Sequence, residues 1–400
     1  MRKTSSIVFI ASALCLAAGV AAAQGTLNTP LLMTPATPAL TQTGSAQETF
    51  YANRLKTASP KIKAIVAALQ TRAQQEKWTF TIGYTTALDR TRAQLTGAKI
   101  PANIRALGPK QAQFATDALK IVNEAIILQH IPHPVFSCSA SAGSFDWRLN
   151  GKVSPVKDQY SCGSCWAFGA LSAYESSYAI HNNVIIDTSE QHALECSGAG
   201  SCGGGWFGGV WDWMHTKKVA TESVLPYVGH DAACPTSLPG SYQDVVWGFV
   251  NPADPNHPTV AQIKAALCQY GPLAVALFVG DDQPGKPDPF RAYTGGVLNA
   301  PENGVTPDAV DHIVTIIGWD DANGAWVVKN SWGTGWGDHG FFKIKYGLDN
   351  IGLAAAWVVA PNKSLILPPK YYELVKLHLP IPEPGPERQL PIQNTMPLQH

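Results

Sequence analysis

The stretch QYSCGSCWAF, Gln159 to Phe168, decides how the rest of this 400-residue chain is read. Cys162 and Cys165 are followed by WAFGALSAYESSYAI, a run that can form a helix. Gly163 permits a tight turn ahead of it. The turn would put Cys165 at a helix N-terminus, where free N–H groups and the helix dipole favour a thiolate. Gln159, six residues earlier, can aim its amide at an oxyanion developing beside the Cys165 N–H. The same C-x-x-C spacing also fits a redox pair or half of a zinc site.

Two later segments favour the nucleophile. Val310-Asp311-His312-Ile313-Val314 sets a histidine inside an apolar run, 147 residues after Cys165. KNSWGTGWGDHGFF then places Asn330 18 residues beyond His312. Alone, His312 would read as a satisfied core residue and Asn330 as a polar residue at a strand end. Together, the three segments have the order and approximate spacing of a thiol nucleophile, its base and a residue that orients the base. They resemble the papain-like, cathepsin-type cysteine proteases.

The resemblance implies roles residue by residue. Cys165 would be the nucleophile and His312 its acid/base partner, with Asn330 orienting the imidazole. Gln159 and the Cys165 N–H would form the oxyanion hole. Trp332 would shield the His312–Asn330 hydrogen bond, and Trp336 belongs to the same run. Phe145-Asp146-Trp147-Arg148 and Val153 to Lys157 match the family's mature N-terminal region. Ser189-Glu190-Gln191, Cys196 and Cys202-Gly203-Gly204-Gly205 match its second stretch, where the Gly204–Gly205 backbone would pair with substrate. Trp206, Phe207, Val310, Ala276 and Ala356 would wall the pocket for the second residue before the scissile bond (P2). None is charged, so a bulky apolar residue is expected there. The chain departs from the family at Tyr160, where glycine is usual, and at Ile351, where a cysteine would close a further bridge.

The implied fold is α+β: a mostly helical lobe and a β-rich lobe, with the active site in the cleft between them and a helical prosegment ahead. The implied activity is a cysteine endopeptidase acting through a thioester on protein or peptide substrates, without cofactor or metal. A non-proteolytic peptide-binding homologue and a Cys-His acyltransferase or peptide ligase are the alternatives.

Composition sets bounds. Lys plus Arg and Asp plus Glu number 29 each, so the formal charge is zero and no basic stripe supports nucleic-acid or electrostatic membrane binding. Residues 1–23 read as a secretory signal: Arg2 and Lys3, an apolar core from Ile7 to Val20, and Ala21-Ala22-Ala23. Export to the periplasm or beyond, with no membrane association after signal removal, and a monomeric state are expected. Of eight cysteines, Cys15 would leave with the signal and Cys165 stay free, which leaves six for three disulfides. Family positions imply Cys162–Cys202 and Cys196–Cys234, and parity then pairs Cys138 with Cys268.

Residues 24–136 are assigned to an inhibitory propeptide that opens on a Thr/Pro/Ala-rich lead-in. Ile62, Ile65, Val66 and Leu69, and again Phe114, Ala118, Ile121, Ala125 and Leu128, recur at helical spacing. Between them FTIGYTTALD, Phe80 to Asp89, reads as a strand and turn that resembles a degenerate prosegment motif. The Pro/Ser-rich stretch 131–144 is the expected activation region. Residues 137–360 are assigned to the peptidase. Residues 361–400, with nine of the chain's 30 prolines, are expected to be a largely extended tail.

Overall fold

The apolar runs of the C-terminal half become strands because helices and neighbouring strands cover both faces. In the computed structural model, which describes residues 43–132, 134, 137–280 and 287–378, they build one sheet. The chain begins with α1 (Thr43–Thr57), α2 (Pro60–Gln75), β1 (Phe80–Ile82), a single turn α3 (Arg92–Leu95) and the long α4 (Ile104–Leu128). After β2 (Ser144–Asp146) come α5 (Cys165–Asn182), α6 (Glu190–Cys196), the short pair β3 (Gly200–Ser201) and β4 (Gly204–Gly205), and α7 (Phe207–Met214). Next are β5 (Val246–Phe249), α8 (Val260–Tyr270), β6 (Leu273–Leu277), β7 (Tyr293–Leu298), β8 (His312–Asp320), β9 (Ala325–Lys329), β10 (Phe341–Lys345) and β11 (Leu353–Val359). A last helix, α9, spans Pro369–His378.

The sheet order is β1-β7-β10-β9-β8-β6-β11-β5, with β2 pairing β8. β8 is buried along almost its whole length, as expected for a central strand covered on both faces. α5 crosses it; fifteen of its eighteen residues are buried, which marks a central helix rather than an amphipathic surface one. Gly169 makes this close approach possible, since a Cβ there would lie 2.4 Å from Ile313 Cγ2. Two apolar cores result. One lies in the β-rich lobe; the other joins α5, α6 and α7 to the cleft side of the sheet. Disulfides Cys162–Cys202 and Cys196–Cys234 staple the helical lobe, and Cys138–Cys268 ties the segment before β2 to α8.

The N-terminal helical region rests on the β-rich lobe. β1 adds to the sheet edge by pairing antiparallel with β7, so Phe80–Asp89 is a strand followed by a 3-10 turn. Val66 and Leu69 are buried and Ile62 and Ile65 half-buried. On α4, Phe114, Ala118 and Ala125 are buried, but Leu128, the helix's last residue, is 79% exposed.

Within the expected extended tail, residues 369–378 are helical instead. Pro368 and Pro369 end an extended stretch and start α9, because proline is tolerated in a first helical turn. Tyr371 and Val375 then bury against the body. The signal, the lead-in to residue 42 and residues 379–400 lie outside the described residues. Among the described residues no helix is long and apolar enough to cross a membrane, and no cluster of side chains could hold a metal ion.

Candidate active site

Cys165 is the first residue of α5, is fully buried and is the only free cysteine among the described residues. The N–H groups of Ile313, Trp166 and Cys165 itself approach its sulfur, so the thiol sits beside the start of β8, where His312 stands. His312 Nε2 donates to Asn330 Oδ1 at 2.8 Å, and its Nδ1 has no partner. The Ser331 N–H also donates to Asn330 Oδ1 at 2.8 Å, which fixes the amide. The Trp332 ring covers the pair, 4.9 Å from the imidazole. Trp336 is not brought to the cleft. It is a core residue, bonded to the Phe290 carbonyl and packed behind Trp332 at 5.0 Å.

Gln159 is held from three sides. Its N–H donates to the Ser331 carbonyl at 2.8 Å, its Oε1 accepts from Ser331 Oγ at 2.7 Å, and its Nε2 donates to the Cys162 carbonyl at 2.9 Å. The same Nε2 donates to the carbonyl of Leu95 at 3.1 Å, and Trp332 Nε1 donates to that oxygen at 3.0 Å. A backbone carbonyl from the N-terminal region therefore sits on the glutamine amide.

Residues 96–100 form a strap across the rest of the cleft. The N–H groups of Gly97 and Ala98 both donate to the Asp311 carbonyl at 2.8 Å. Ala98 forms a parallel bridge with Gly205: Lys99 N–H donates to Gly205 O and Gly205 N–H to Gly97 O, each at 2.8 Å. Gly97 must be glycine, since a Cβ there would lie 1.9 Å from the Gly163 carbonyl oxygen. Phe207, Ala276 and Ala356 are buried in one apolar cluster with Cys165, and Trp206 and Val310 pack on it. Ala98 and Ile100 of the strap join the same cluster.

Two arginines ahead of the strap clamp the aspartates that precede Gln159 and His312. Arg90 grips Asp158 through two bonds of 2.8 Å, and Arg92 grips Asp311 at 2.6 Å and 2.8 Å. Asp311 also accepts from the Val279 N–H. Burial raises the Asp311 carboxyl to about 6, against the pull of Arg92. Under this cover the reactive pair is uncharged. Burial pushes the Cys165 thiol up to about 12 and His312 down to about 4, although the Asn330 hydrogen bond favours the imidazolium.

Residues 141–360 match the papain family cysteine proteases. The chain belongs to that family. It is 34% identical over 227 residues to digestive cysteine proteinase 3 of Homarus americanus, a match covering 55% of this chain and 67% of that protein. It is 35% identical over 222 residues to pro-cathepsin H of Mus musculus, covering 53% of this chain and 62% of the mouse protein. The chain thus spans less than two thirds of the mouse relative's length in that match. Among solved structures, the digestive procathepsin L2 proteinase from the larval midgut of Tenebrio molitor aligns with a TM-score of 0.56 and 27% identity, over 79% of this chain and 94% of that one. The likeness to a procathepsin extends beyond the matched stretch and supports reading this papain-family protease as a propeptide-containing zymogen.

Sequence reading missed the residues that support the site. Ser331 holds both Gln159 and Asn330, and its adjacency to Asn330 was the available signal. Behind Asn330 lies a buried ion cluster. Lys157 bonds Glu190 at 2.8 Å, and Lys329 bonds Ser154, which bonds Glu175. Burial alone would lower the Lys157 ammonium, but Glu175 and Glu190 outweigh it and raise it. Burial lowers Lys329 to about 8 despite Glu175. This cluster anchors β9, whose last residue, Lys329, carries the chain into Asn330.

Proposed function

We propose that the protein is a cysteine endopeptidase, exported to the periplasm or beyond as a self-inhibited monomeric precursor. The carrying observation is the Leu95 carbonyl on Gln159, beside the hydrogen-bonded His312–Asn330 pair and Cys165 at the head of α5. The strap runs from Gln159 at Leu95 to Gly205 at Ala98. A substrate whose scissile carbonyl sits at Gln159, and whose preceding residues pair with Gly205, runs the other way. The strap therefore fills the cleft without offering a peptide bond in the reactive direction, which supports residues up to about 103 acting as an intramolecular inhibitor.

Once the strap leaves, water reaches the site and the penalty on charge falls. The Cys165 proton can pass to His312 Nδ1, and the helix N-terminus favours the thiolate. The thiolate attacks the scissile carbonyl. Gln159 Nε2 and the Cys165 N–H stabilise the oxyanion, and the imidazolium returns its proton to the leaving amine. Water then hydrolyses the thioester with His312 as base. The Gly204–Gly205 backbone pairs with the substrate main chain. Trp206, Phe207, Val310, Ala276 and Ala356 select a bulky apolar P2 residue, since none can neutralise a buried arginine or lysine.

The test combines variants and a library. Cys165→Ala and His312→Ala abolish turnover, and Gln159→Ala lowers kcat by roughly 10²–10³, the loss of one oxyanion donor. A Cys165→Ala protein that keeps most of its peptidase activity sinks the assignment. In a positional peptide library, arginine cleaved at P2 as well as leucine would defeat the specificity claim.

A further inference from the structure

Helices α4 and α9 both lie outside residues 141–360, the stretch that matches the family. Yet they pack on each other and on the edge of the sheet. α4 carries a buried series at helical spacing that includes Ile104, Gly108, Gln111, Phe114, Ala118 and Val122. Gly108 sits so close to the loop after β5 that a Cβ would lie 2.1 Å from the Pro252 carbonyl oxygen. Gln111 is bonded on both sides. Its Nε2 donates to the Trp247 carbonyl of β5 at 2.7 Å, and its Oε1 accepts from His378 Nε2 of α9 at 3.1 Å. Phe114 stacks on His378 at 4.0 Å and lies 5.3 Å from His215, a buried peptidase residue bonded to Asp244.

α9 closes the far side. The Tyr371 hydroxyl donates to the Val245 carbonyl next to β5, and Val375 is buried. At the other end of α4, Gln129 exchanges two hydrogen bonds with the Ile366 backbone, at 2.7 Å and 2.9 Å. α4 thus lies between β5 and a helix that follows the peptidase in the chain, which no N-terminal cut can remove. None of the eight residues in its buried series is charged. The strap, in contrast, is held by backbone bonds and follows two arginine–aspartate clamps.

We propose that α4 is not discarded with the strap but stays docked on β5 and under α9 as a permanent part of the active peptidase. Cutting within 96–103 leaves it covalently attached; cutting within 129–143 as well leaves it as a bound second chain. In the first case the activation cut lies upstream of the 131–144 stretch that sequence reading favoured.

The full chain is activated, the active species is labelled at Cys165 with an epoxide inhibitor and separated by gel filtration, and the labelled fraction is analysed by denaturing mass spectrometry. The expected result is one copy of residues 104–128 per label, whether continuous with the peptidase or separate. A labelled fraction free of those residues overturns the proposal. Absence of any label would instead count against the peptidase reading, so the two failures are distinguishable. A second measurement tests the clamp. In the Tyr371→Ala/Val375→Ala variant, protease digestion of the activated species should cut α4 at least tenfold faster than in wild type. Equal rates would exclude α9 as its holder.

Discussion

The strap and α4 are neighbours in sequence and opposites in construction. Gly97 and Ala98 reach the cleft with little side-chain bulk and bind through backbone N–H and C=O groups. Such bonds exchange readily for bonds to water and contribute little net stability each. α4 begins only a few residues later and binds β5 and α9 mainly through a buried series that carries no charged residue. The difference teaches that being N-terminal to a peptidase does not make a segment inhibitory. One part of this region occupies the chemistry; the other completes a core.

That contrast can be broken, from the largest expected effect down. Cys165→Ala should remove turnover entirely while leaving the melting temperature and the strap in place; an active Cys165→Ala chain refutes the site. Phe114→Ala on α4 should cost about 3–5 kcal/mol of stability, as for other buried aromatics cut back to alanine. It should leave inhibition of the uncut chain unchanged, so denaturant melts and basal activity measured side by side decide the point. Arg92→Ala should do the reverse. Losing a charged hydrogen-bond donor at a partly buried pair is worth about 1.5–3 kcal/mol, or a roughly 10- to 100-fold rise in basal activity of the uncut chain with little change in melting. If Arg92→Ala and Phe114→Ala behave alike, the division between strap and helix fails.

A pH experiment sharpens the same division. In the covered site the Cys165 thiol titrates near 12 and His312 near 4, so at pH 7 the thiol keeps its proton and the imidazole lacks one. Alkylation of the uncut chain should therefore rise about tenfold per pH unit from neutrality upward, following the small thiolate fraction. After activation the rate should level off at a much lower pH, because water and His312 then support the anion. A low plateau in the uncut chain would mean that the strap does not dehydrate the pair. The smallest effect belongs to Lys370→Ala, which removes an exposed pairing with Glu124 on α4. Melting should not change measurably.

Much of the site was legible in the sequence because its chemistry needs particular residues at particular local spacings. A cysteine at a helix start, a glutamine just before it and the Asn330-Ser331-Trp332 run are short-range patterns. So are the strands PLAVALFVG and HIVTIIGW, whose apolar character follows from burial on both faces, and GFFKIKY, which alternates between buried and half-buried residues. Trp336 shows the limit. It shares the run with Trp332, but the loop between β9 and β10 turns it into the β-lobe core. The arginine clamps were not legible either. Arg90 and Arg92 look like solvated charges until folding brings them to aspartates 68 and 219 residues away.

The sequence by itself determined the family, the cysteine, histidine and asparagine that carry the chemistry, and a helical region ahead of them, because local spacing and apolar periodicity are written residue by residue. Only the tertiary structure decided the direction of the strap, the carbonyl of Leu95 on Gln159 and the docking of the proline-rich tail's helix on α4. These contacts join segments far apart in the chain, each through a backbone group on at least one side. Their identity leaves no mark in the sequence, and only the packing of the two lobes selects which carbonyl meets which amide.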